Sequence, residues 1–296
     1  MEHQKTDSYN QLSSVEVLFE MNSGERLPLP KILERLYGRL CFPAADGYPY
    51  VFANFVSTLD GVVTLGIPGK SGGGEISGFN PHDRMIMGLL RAAADAVIVG
   101  SGTLKASPQT RWTPGYIYPD FKAIYRELRT QSKKSEEPLN VIVTGSGDLD
   151  LNLPVFQDRD IPVLIVTSEF GAERIRRQPL PESVQVKAVR SDGKISAAEI
   201  LTSVQAVCEG TRFLLEGGPH LLSIFLAEQQ LDELFLTLAP QVAGREGSPE
   251  RLGLVAGHNF APDNPKWSTL LSLRKTESHL FLRYAFRSSH RKAKEM

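Results

Sequence analysis

The sequence predicts an α/β fold with a mostly parallel central sheet and antiparallel strands at its C-terminal end. Short apolar runs alternate with helical segments, at 96–100, 139–145, 161–168 and 211–218. Apolar runs without polar alternation are typical of parallel strands that are covered on both faces. The last part differs, because its segments 231–244 and 272–286 alternate apolar with polar residues. This alternation indicates antiparallel strands that close one edge of the sheet.

The segments before the first of these runs carry their own signals. A β-branched and aromatic run begins at Tyr50 and is interrupted by Asp-Gly at 60–61, which predicts a strand followed by a turn. The glycine-rich stretch 69–74 is predicted to be a loop. Asn-Pro at 80–81 then opens a helical pattern, with the proline in the first turn, where helices tolerate it.

The chain divides into an extension, one main domain and a tail. Residues 1–48 are predicted to be an N-terminal extension, with one amphipathic stretch from Leu29 to Leu40. The main domain is predicted to span 49–288, and the charged residues 289–296 are expected to be a disordered tail. A chain of 296 residues, 41% of them hydrophobic, fits one α/β domain with additions.

Composition and charge exclude several classes of function. The formal charge of -1, from 33 Lys and Arg against 34 Asp and Glu, provides no field that would attract nucleic acid or an anionic membrane. Cys41 and Cys208 form neither a disulfide framework nor a thiolate metal site, which indicates a reducing compartment. The six histidines show no metal-ligand spacing. We therefore expect a cytoplasmic protein without a metal, a nucleic-acid partner or a membrane anchor.

Three predicted strands end in turns that contain glycine, at 100–103, 144–147 and 216–219. In an open parallel sheet, ligands bind at the carboxyl ends of the strands. Glycine lets a phosphate approach backbone N–H groups, and the start of the next helix adds partial positive charge. The three turns together indicate an extended ligand with phosphates. Any one of them could equally relieve strain between a strand and a helix.

Two common nucleotide-binding signatures are absent. The stretch VGSGTLKAS, from position 99, lacks the third glycine of the Rossmann fingerprint. Gly69-Lys70-Ser71 lacks the upstream glycine that a P-loop requires. The sequence therefore disfavours a conventional NAD dehydrogenase and a nucleotide hydrolase.

Four motifs nevertheless occur in a recognisable order between residues 48 and 287. They are Ser57-x-Leu59-Asp60-Gly61, the run Leu90 to Ala96 leading into Val99-Gly100-Ser101-Gly102-Thr103, Leu215-Glu216-Gly217-Gly218-Pro219, and Leu231-Asp232-Glu233-Leu234 with Ala239-Pro240. In this order they resemble the carboxyl-terminal reductase domain of bifunctional riboflavin-biosynthesis enzymes. The resemblance implies a dihydrofolate-reductase-like three-layer fold, NADPH as the hydride donor, and a homodimer. The zinc-binding motifs of the deaminase half are absent.

The resemblance also implies roles for individual residues. These roles are catalytic for Asp60 and Glu216, cofactor-binding for Gly100, Gly102, Thr103, Thr144, Ser146, Gly217 and Gly218, and substrate-binding for Ser57, Thr58 and Arg111. Structural alternatives stay open at three of these positions: an Asp-Gly turn for Asp60, a helix-start carboxylate for Glu216 and a turn cap for Arg111. The segment 106–112, which contains Arg111, departs from the pattern of the family.

The implied reaction is the reduction of a ribosyl side chain to ribityl. The substrate would be 5-amino-6-(5-phosphoribosylamino)uracil or its diamino-pyrimidinone form, with hydride passing from the nicotinamide to C1′. Two other functions remain open from the sequence. One is a reductase of the same fold that acts on a pterin or another heterocycle, and the other is a protein that binds NADPH without turnover.

Overall fold

The computed structural model of the chain describes residues 12–21, 24–67, 72–190, 194–247 and 250–286. The helices within these ranges are α1 (Lys31–Tyr37), α2 (Gly73–Ser77), α3 (Pro81–Ala93), α4 (Ser101–Ala106), α5 (Pro114–Ile117), α6 (Lys122–Gln131), α7 (Pro154–Gln157), α8 (Glu169–Arg176), α9 (Ala197–Gln205) and α10 (Pro219–Ala227). The strands are β1 (Glu16–Glu20), β2 (Glu25–Arg26), β3 (Cys41–Phe42), β4 (Tyr50–Ser57), β5 (Ala96–Gly100), β6 (Leu139–Thr144), β7 (Val163–Ser168), β8 (Val184–Val189), β9 (Arg212–Leu215), β10 (Glu233–Leu238), β11 (Ser268–Thr276) and β12 (His279–Phe286).

Ten of the described strands form one sheet, in the order β1-β11-β12-β10-β4-β9-β5-β6-β7-β8. Pairing is parallel from β10 through β4, β9, β5, β6 and β7 to β8. It is antiparallel between β10 and β12, between β12 and β11, and between β11 and β1. The predicted fold class, a mostly parallel sheet with antiparallel C-terminal strands, is confirmed.

Helices cover both faces of this sheet. On one face, α1, α3 and α6 bury apolar side chains such as Leu36, Leu89 and Leu128. On the other face, α9 and α10 bury Ile200 and Phe225. Each such side chain stabilises the fold by about 1.5–3 kcal/mol when it is withdrawn from water. Within the described ranges, no helix has the length and apolar character needed to cross a membrane.

Helix α3 begins and ends with specific contacts. The side chain of Asn80 accepts hydrogen bonds from the backbone N–H groups of His82 (2.9 Å) and Asp83 (3.1 Å), which otherwise lack intrahelical partners. At the other end, the buried guanidinium of Arg129 donates to the carbonyl oxygen of Ala94 at 2.7 Å. The predicted start of this helix at Asn-Pro is confirmed.

The glycine-rich stretch 69–74 is not entirely a loop as predicted. Residues 69–71 lie outside the described ranges, but α2 begins at Gly73. A Cβ on Gly73 would lie 2.9 Å from Cγ1 of Val56, so glycine permits close packing of α2 on β4. Ile76 belongs to a small apolar cluster with Val56. This tertiary contact outweighs the poor helix propensity of glycine.

The predicted strand over 231–244 ends early and lies inside the sheet. β10 ends at Leu238, and it pairs parallel with β4 on one side and antiparallel with β12 on the other. Residues 239–244 do not continue it, because Pro240 has no N–H to donate to a neighbouring strand and the N–H of Gln241 donates to the carbonyl oxygen of Ala239 at 2.8 Å. As predicted, antiparallel strands form the end of the sheet next to β10. The outermost of them is β1, from the amino-terminal part of the chain.

Residues 12–48, which the sequence analysis assigns to the extension, pack against the rest of the fold. β1 pairs with β11, and Leu12 and Val15 are buried in the same core as α3. Arg274 on β11 is buried and forms an ion pair with Glu20. Strands β1 and β8, which lie at the two edges of the sheet, were not predicted. The predicted tail, 289–296, lies outside the described residues.

Candidate active site at the ends of the parallel strands

Strands β9 and β5 are neighbours, and each is followed at its carboxyl end by a glycine and a helix. Gly100 precedes α4 and Gly218 precedes α10, and no side chain of the described residues caps either helix start. Uncapped helix starts of this kind can offer backbone N–H groups to a ligand, although at α10 Pro219 has no N–H and the N–H of Leu221 donates to the carbonyl oxygen of Gly218. The two turns are close, because a Cβ on Gly218 would lie 3.6 Å from Oγ1 of Thr103.

The glycines at these turns serve different purposes. Among the described residues, no atom lies within 4 Å of the positions that a Cβ would take on Gly100 or Gly102. Packing therefore does not require glycine at these two positions, and the space beside them is open. At Gly217, in contrast, a Cβ would lie 2.5 Å from Cδ2 of Leu221. Internal packing thus explains the glycine at 217.

The third turn, after β6, is occupied by its own hydrogen bonds. Oγ1 of Thr144 accepts from the N–H of Gly147 at 3.2 Å, and Oγ of the exposed Ser146 accepts from the N–H of Asp148 at 3.3 Å. Gly147 has a φ of +64°, and its Cβ would lie 2.2 Å from the carbonyl oxygen of Gly171. Backbone conformation and close packing require glycine at this turn.

Two basic residues that the sequence analysis missed lie beside this turn. Nζ of Lys105 is 3.0 Å and Nη2 of Arg174 is 2.6 Å from the carboxylate oxygens of Asp148. The hydrogen bond from Lys105 and the charge of Arg174 hold the pKa of Asp148 below its ordinary value. Two cations against one carboxylate give this corner of the strand-end edge a local positive charge.

Asp60 follows β4, the next strand along the same edge, and it accepts three hydrogen bonds. Its donors are Oγ1 of Thr58 (2.6 Å), the N–H of Ala243 (3.0 Å) and the N–H of Gly244 (2.8 Å). The bond from Thr58, followed by the backbone bonds, lowers the pKa of Asp60 from 3.8 to about 2. Ser57 is buried and donates to the carbonyl oxygen of Thr58. Asp60 is therefore ionised at neutral pH.

Glu216 follows β9 and forms a buried ion pair with Arg91 of α3. Nη2 of Arg91 lies 2.7 Å and Nε 3.0 Å from Oε2 of Glu216, and the side chains are 3% and 7% exposed. The same guanidinium donates to the carbonyl oxygen of Thr113 at 3.2 Å. Glu216 was predicted to lie in this region, but Arg91 was not, because its helical context gives no sign of a partner 125 positions away.

The backbone of Arg111 lies beside the Arg91–Glu216 pair, because Nη1 of Arg91 donates to the carbonyl oxygen of Arg111 at 3.4 Å, but the side chain of Arg111 has other partners. Its Nε lies 3.0 Å from Oδ2 of Asp158, and its guanidinium lies over the ring of Tyr116. The backbone N–H of Trp112, the next residue, donates to Oδ1 of Asn140, the second residue of β6. This segment is thus fixed beside the amino-terminal half of β6. The substrate-binding role of Arg111 stays a prediction.

The fold and this edge define the class of the protein. It is an α/β protein in which uncapped helix starts and two carboxylates follow neighbouring parallel strands. The RibD C-terminal domain family model matches residues 49–277. This chain belongs to that family.

Individual relatives agree with the family match. The chain is 26% identical over 202 residues, 68% of its length and 84% of the relative's, to a 2,5-diamino-6-ribosylamino-4(3H)-pyrimidinone 5′-phosphate reductase of Archaeoglobus fulgidus. It is 25% identical over 208 residues, 70% of its length but 50% of the relative's, to the riboflavin biosynthesis protein RibD of Aquifex aeolicus.

Solved structures show the same fold. A pyrimidine reductase-like protein from Corynebacterium diphtheriae matches with a TM-score of 0.62 at 19% identity, over 80% of this chain and 92% of that one. RibD of Acinetobacter baumannii matches with a TM-score of 0.61 at 20% identity, over 81% of this chain and 59% of that one. At such identities the structural matches carry the fold alone, and they agree with the predicted architecture.

Proposed function

We propose that this chain is an NADPH-dependent reductase of riboflavin biosynthesis. It reduces the ribosyl side chain of 5-amino-6-(5-phosphoribosylamino)uracil, or of its diamino-pyrimidinone form, to ribityl. The observation that carries the proposal is the pair of adjacent, uncapped helix starts after β5 and β9, with Asp60 and Glu216 following β4 and β9 on the same edge. The relatives named as reductases of such pyrimidines supply the substrate class.

The residues at this edge fit a phosphorylated nicotinamide dinucleotide. Gly100, Gly102 and Gly218 leave backbone N–H groups accessible for the diphosphate, with the hydroxyl of Thr103 beside them. The cations beside Asp148 complement an adenosine 2′-phosphate, which favours NADPH over NADH. When bound, the cofactor supplies a hydride, and the protein supplies orientation and electrostatics.

The reaction places few demands on side-chain chemistry. Reduction of the C1′=N bond of a ring-opened ribosylamine needs a hydride at C1′ and a proton at nitrogen. Asp60 is ionised, and Glu216 is held by the guanidinium of Arg91, so water is the proton source in this proposal.

An assay with the purified full chain tests the proposal. We expect NADPH consumption with one or both phosphoribosylamino-pyrimidines, and transfer of deuterium from C4-deuterated NADPH to C1′ of the product, read by mass spectrometry. We also expect the chain to support growth of a riboflavin auxotroph that lacks only the reductase. Absence of both turnover and growth with a folded protein would contradict the proposed function.

One observation favours a second candidate, a reductase of the same fold that acts on a pterin or another heterocycle without a phosphate. The guanidinium of Arg111, which the family resemblance assigns to the substrate phosphate, forms an ion pair with Asp158 in the unliganded chain. NADPH consumption with a dihydropterin, and none with the phosphorylated pyrimidines, would support this candidate. Binding of NADPH without consumption by either class of substrate would indicate a protein that does not catalyse turnover.

A further inference from the structure

A long irregular segment contacts both the turn after β4 and the glycine turn before α10. We name its described residues, 241–247 and 250–258, the strap. Its first part lies along the turn after β4, where the N–H of Leu59 donates to the carbonyl oxygen of Gln241 (2.8 Å) and the N–H of Val63 to that of Leu252 (3.0 Å). The strap therefore runs beside the turn that carries Asp60.

The far part of the strap lies on the glycine turn before α10. The N–H of Ala256 donates to the carbonyl oxygen of Pro219 at 3.4 Å. Oγ of Ser223 contacts the carbonyl oxygen of Ala256 at 2.7 Å, and a Cβ on Gly257 would lie 3.3 Å from Nδ1 of His220. The strap thus packs on the helix start that is proposed to bind the diphosphate.

Two opposite charges hold the middle of the strap. The carboxylate of Asp60 accepts from the N–H groups of Ala243 and Gly244, and the guanidinium of Arg251 donates to the carbonyl oxygens of the same two residues, at 3.0 Å for Gly244. Every polar backbone atom of this dipeptide is therefore bound by a charged side chain. Charge-assisted hydrogen bonds of this kind are stronger than neutral ones.

We propose that Asp60 is a positioning residue, which anchors the strap as a wall of the strand-end site and takes no part in proton transfer. Three donors bind its carboxylate oxygens, so a proton taken up by Asp60 would remove the charge that strengthens all three hydrogen bonds of the anchor. What the anchored wall does for catalysis rests on the proposed function. The anchor itself does not, and it can be measured without any ligand.

Hydrogen exchange of the unliganded chain tests the anchor directly. We expect Asp60→Asn to accelerate exchange at the amides of Ala243 and Gly244, because the amide side chain offers one acceptor oxygen where the carboxylate offers two. Asp158→Asn, at a carboxylate outside the strap, should leave these two amides unchanged. Unchanged exchange in Asp60→Asn would overturn the proposal, even if the enzyme proves to be a reductase.

Kinetics then separate positioning from proton transfer. We expect Asp60→Asn and Arg251→Met each to lower kcat/KM by about ten- to 100-fold, and the double variant to lose little more, since both act through the same dipeptide. The dependence of kcat/KM on pH should keep the same acidic and basic limbs in Asp60→Asn as in wild type. Loss of one limb in Asp60→Asn, or full activity in Arg251→Met, would overturn the proposal. Inactivity of the wild-type chain would instead remove the proposed function and leave the exchange result standing.

Discussion

At the scale of single residues, the sequence predicts which carboxylates follow the strands but not what binds them. Asp60 and Glu216 belong to motifs that are recognisable in the sequence. Their partners Gly244 and Arg91 lie 184 and 125 positions away along the chain, and only the fold brings them together. For the same reason, the ion pair of Arg111 with Asp158 could not be predicted.

The buried pair of Arg91 and Glu216 leads to a stability prediction. Arg91→Met should lower the free energy of unfolding by about 3–5 kcal/mol, because it leaves the carboxylate of Glu216 buried without its cation. The double variant Arg91→Met/Glu216→Gln should regain part of the lost free energy of unfolding, because it no longer buries an unpaired charge. Urea denaturation measures both effects. As a control, Arg126→Ala removes a pair with Glu136 in which both side chains are more than half exposed, and it should cost less than about 1 kcal/mol.

The lowered pKa of Asp60 predicts a pH dependence with a defined sign. A carboxyl group whose pKa falls on folding stabilises the folded state above its ordinary pKa, and this contribution is lost as the pH drops through the folded value. For Asp60 that window runs from 3.8 down to about 2. Wild type should therefore exceed Asp60→Asn in stability at pH 6, and the difference should shrink as the pH falls from 3.8 to below about 2. If the stability difference between wild type and Asp60→Asn grew on acidification, the lowered pKa of Asp60 would be contradicted.

At the scale of elements, the strands of the parallel sheet are predictable because burial on both faces produces continuous apolar runs. β5, β6 and β7 lie where those runs predict them. The alternating pattern of β10 indicates that one face of the strand is more polar than the other. The pattern does not indicate which strands pair with β10. In the case of α2, close packing on β4 stabilises a helix in a stretch whose composition predicts a loop.

Neighbouring glycines before α10 should respond differently to the same substitution. Gly218→Ala places a methyl group at ordinary contact distance from Thr103, so we expect unchanged stability and NADPH binding weakened about tenfold, since the methyl group narrows the approach to the helix start. Gly217→Ala should instead lower the free energy of unfolding by about 1–3 kcal/mol through its clash with Leu221. Thermal denaturation and calorimetric titration distinguish the two. Equal binding by Gly218→Ala and wild type would argue against a diphosphate at this turn.

At the scale of the whole molecule, the chain builds one continuous sheet whose described edges are β1 and β8. The family match begins at residue 49, yet the preceding segment supplies β1 and part of the core. Its role in the sheet could not be predicted, because an edge strand such as β1, with apolar side chains half exposed, has neither a buried run nor a clear alternation. The expected homodimer and cytoplasmic location stay predictions.

Removal of β1 tests whether the candidate site depends on this edge strand of the sheet. Deletion of residues 1–21 should lower the melting temperature and promote aggregation, because it uncovers β11 and removes the partner of the buried Arg274. β1 is separated from β9 by four strands, so NADPH affinity should stay within about twofold of the full chain. Loss of binding by a deletion variant that remains folded would show that the extension takes part in the site.

The central claim is that the glycine-lined helix starts after β5 and β9 bind a reduced nicotinamide dinucleotide. Isothermal titration calorimetry of the full chain tests it most directly. We predict one NADPH site per chain with a Kd of about 1 μM to 1 mM, the range in which enzymes ordinarily have their KM values, and weaker binding of NADH. If the folded chain gives no binding heat with NADPH or NADH at several temperatures, and neither nucleotide shifts its melting temperature, the claim is contradicted.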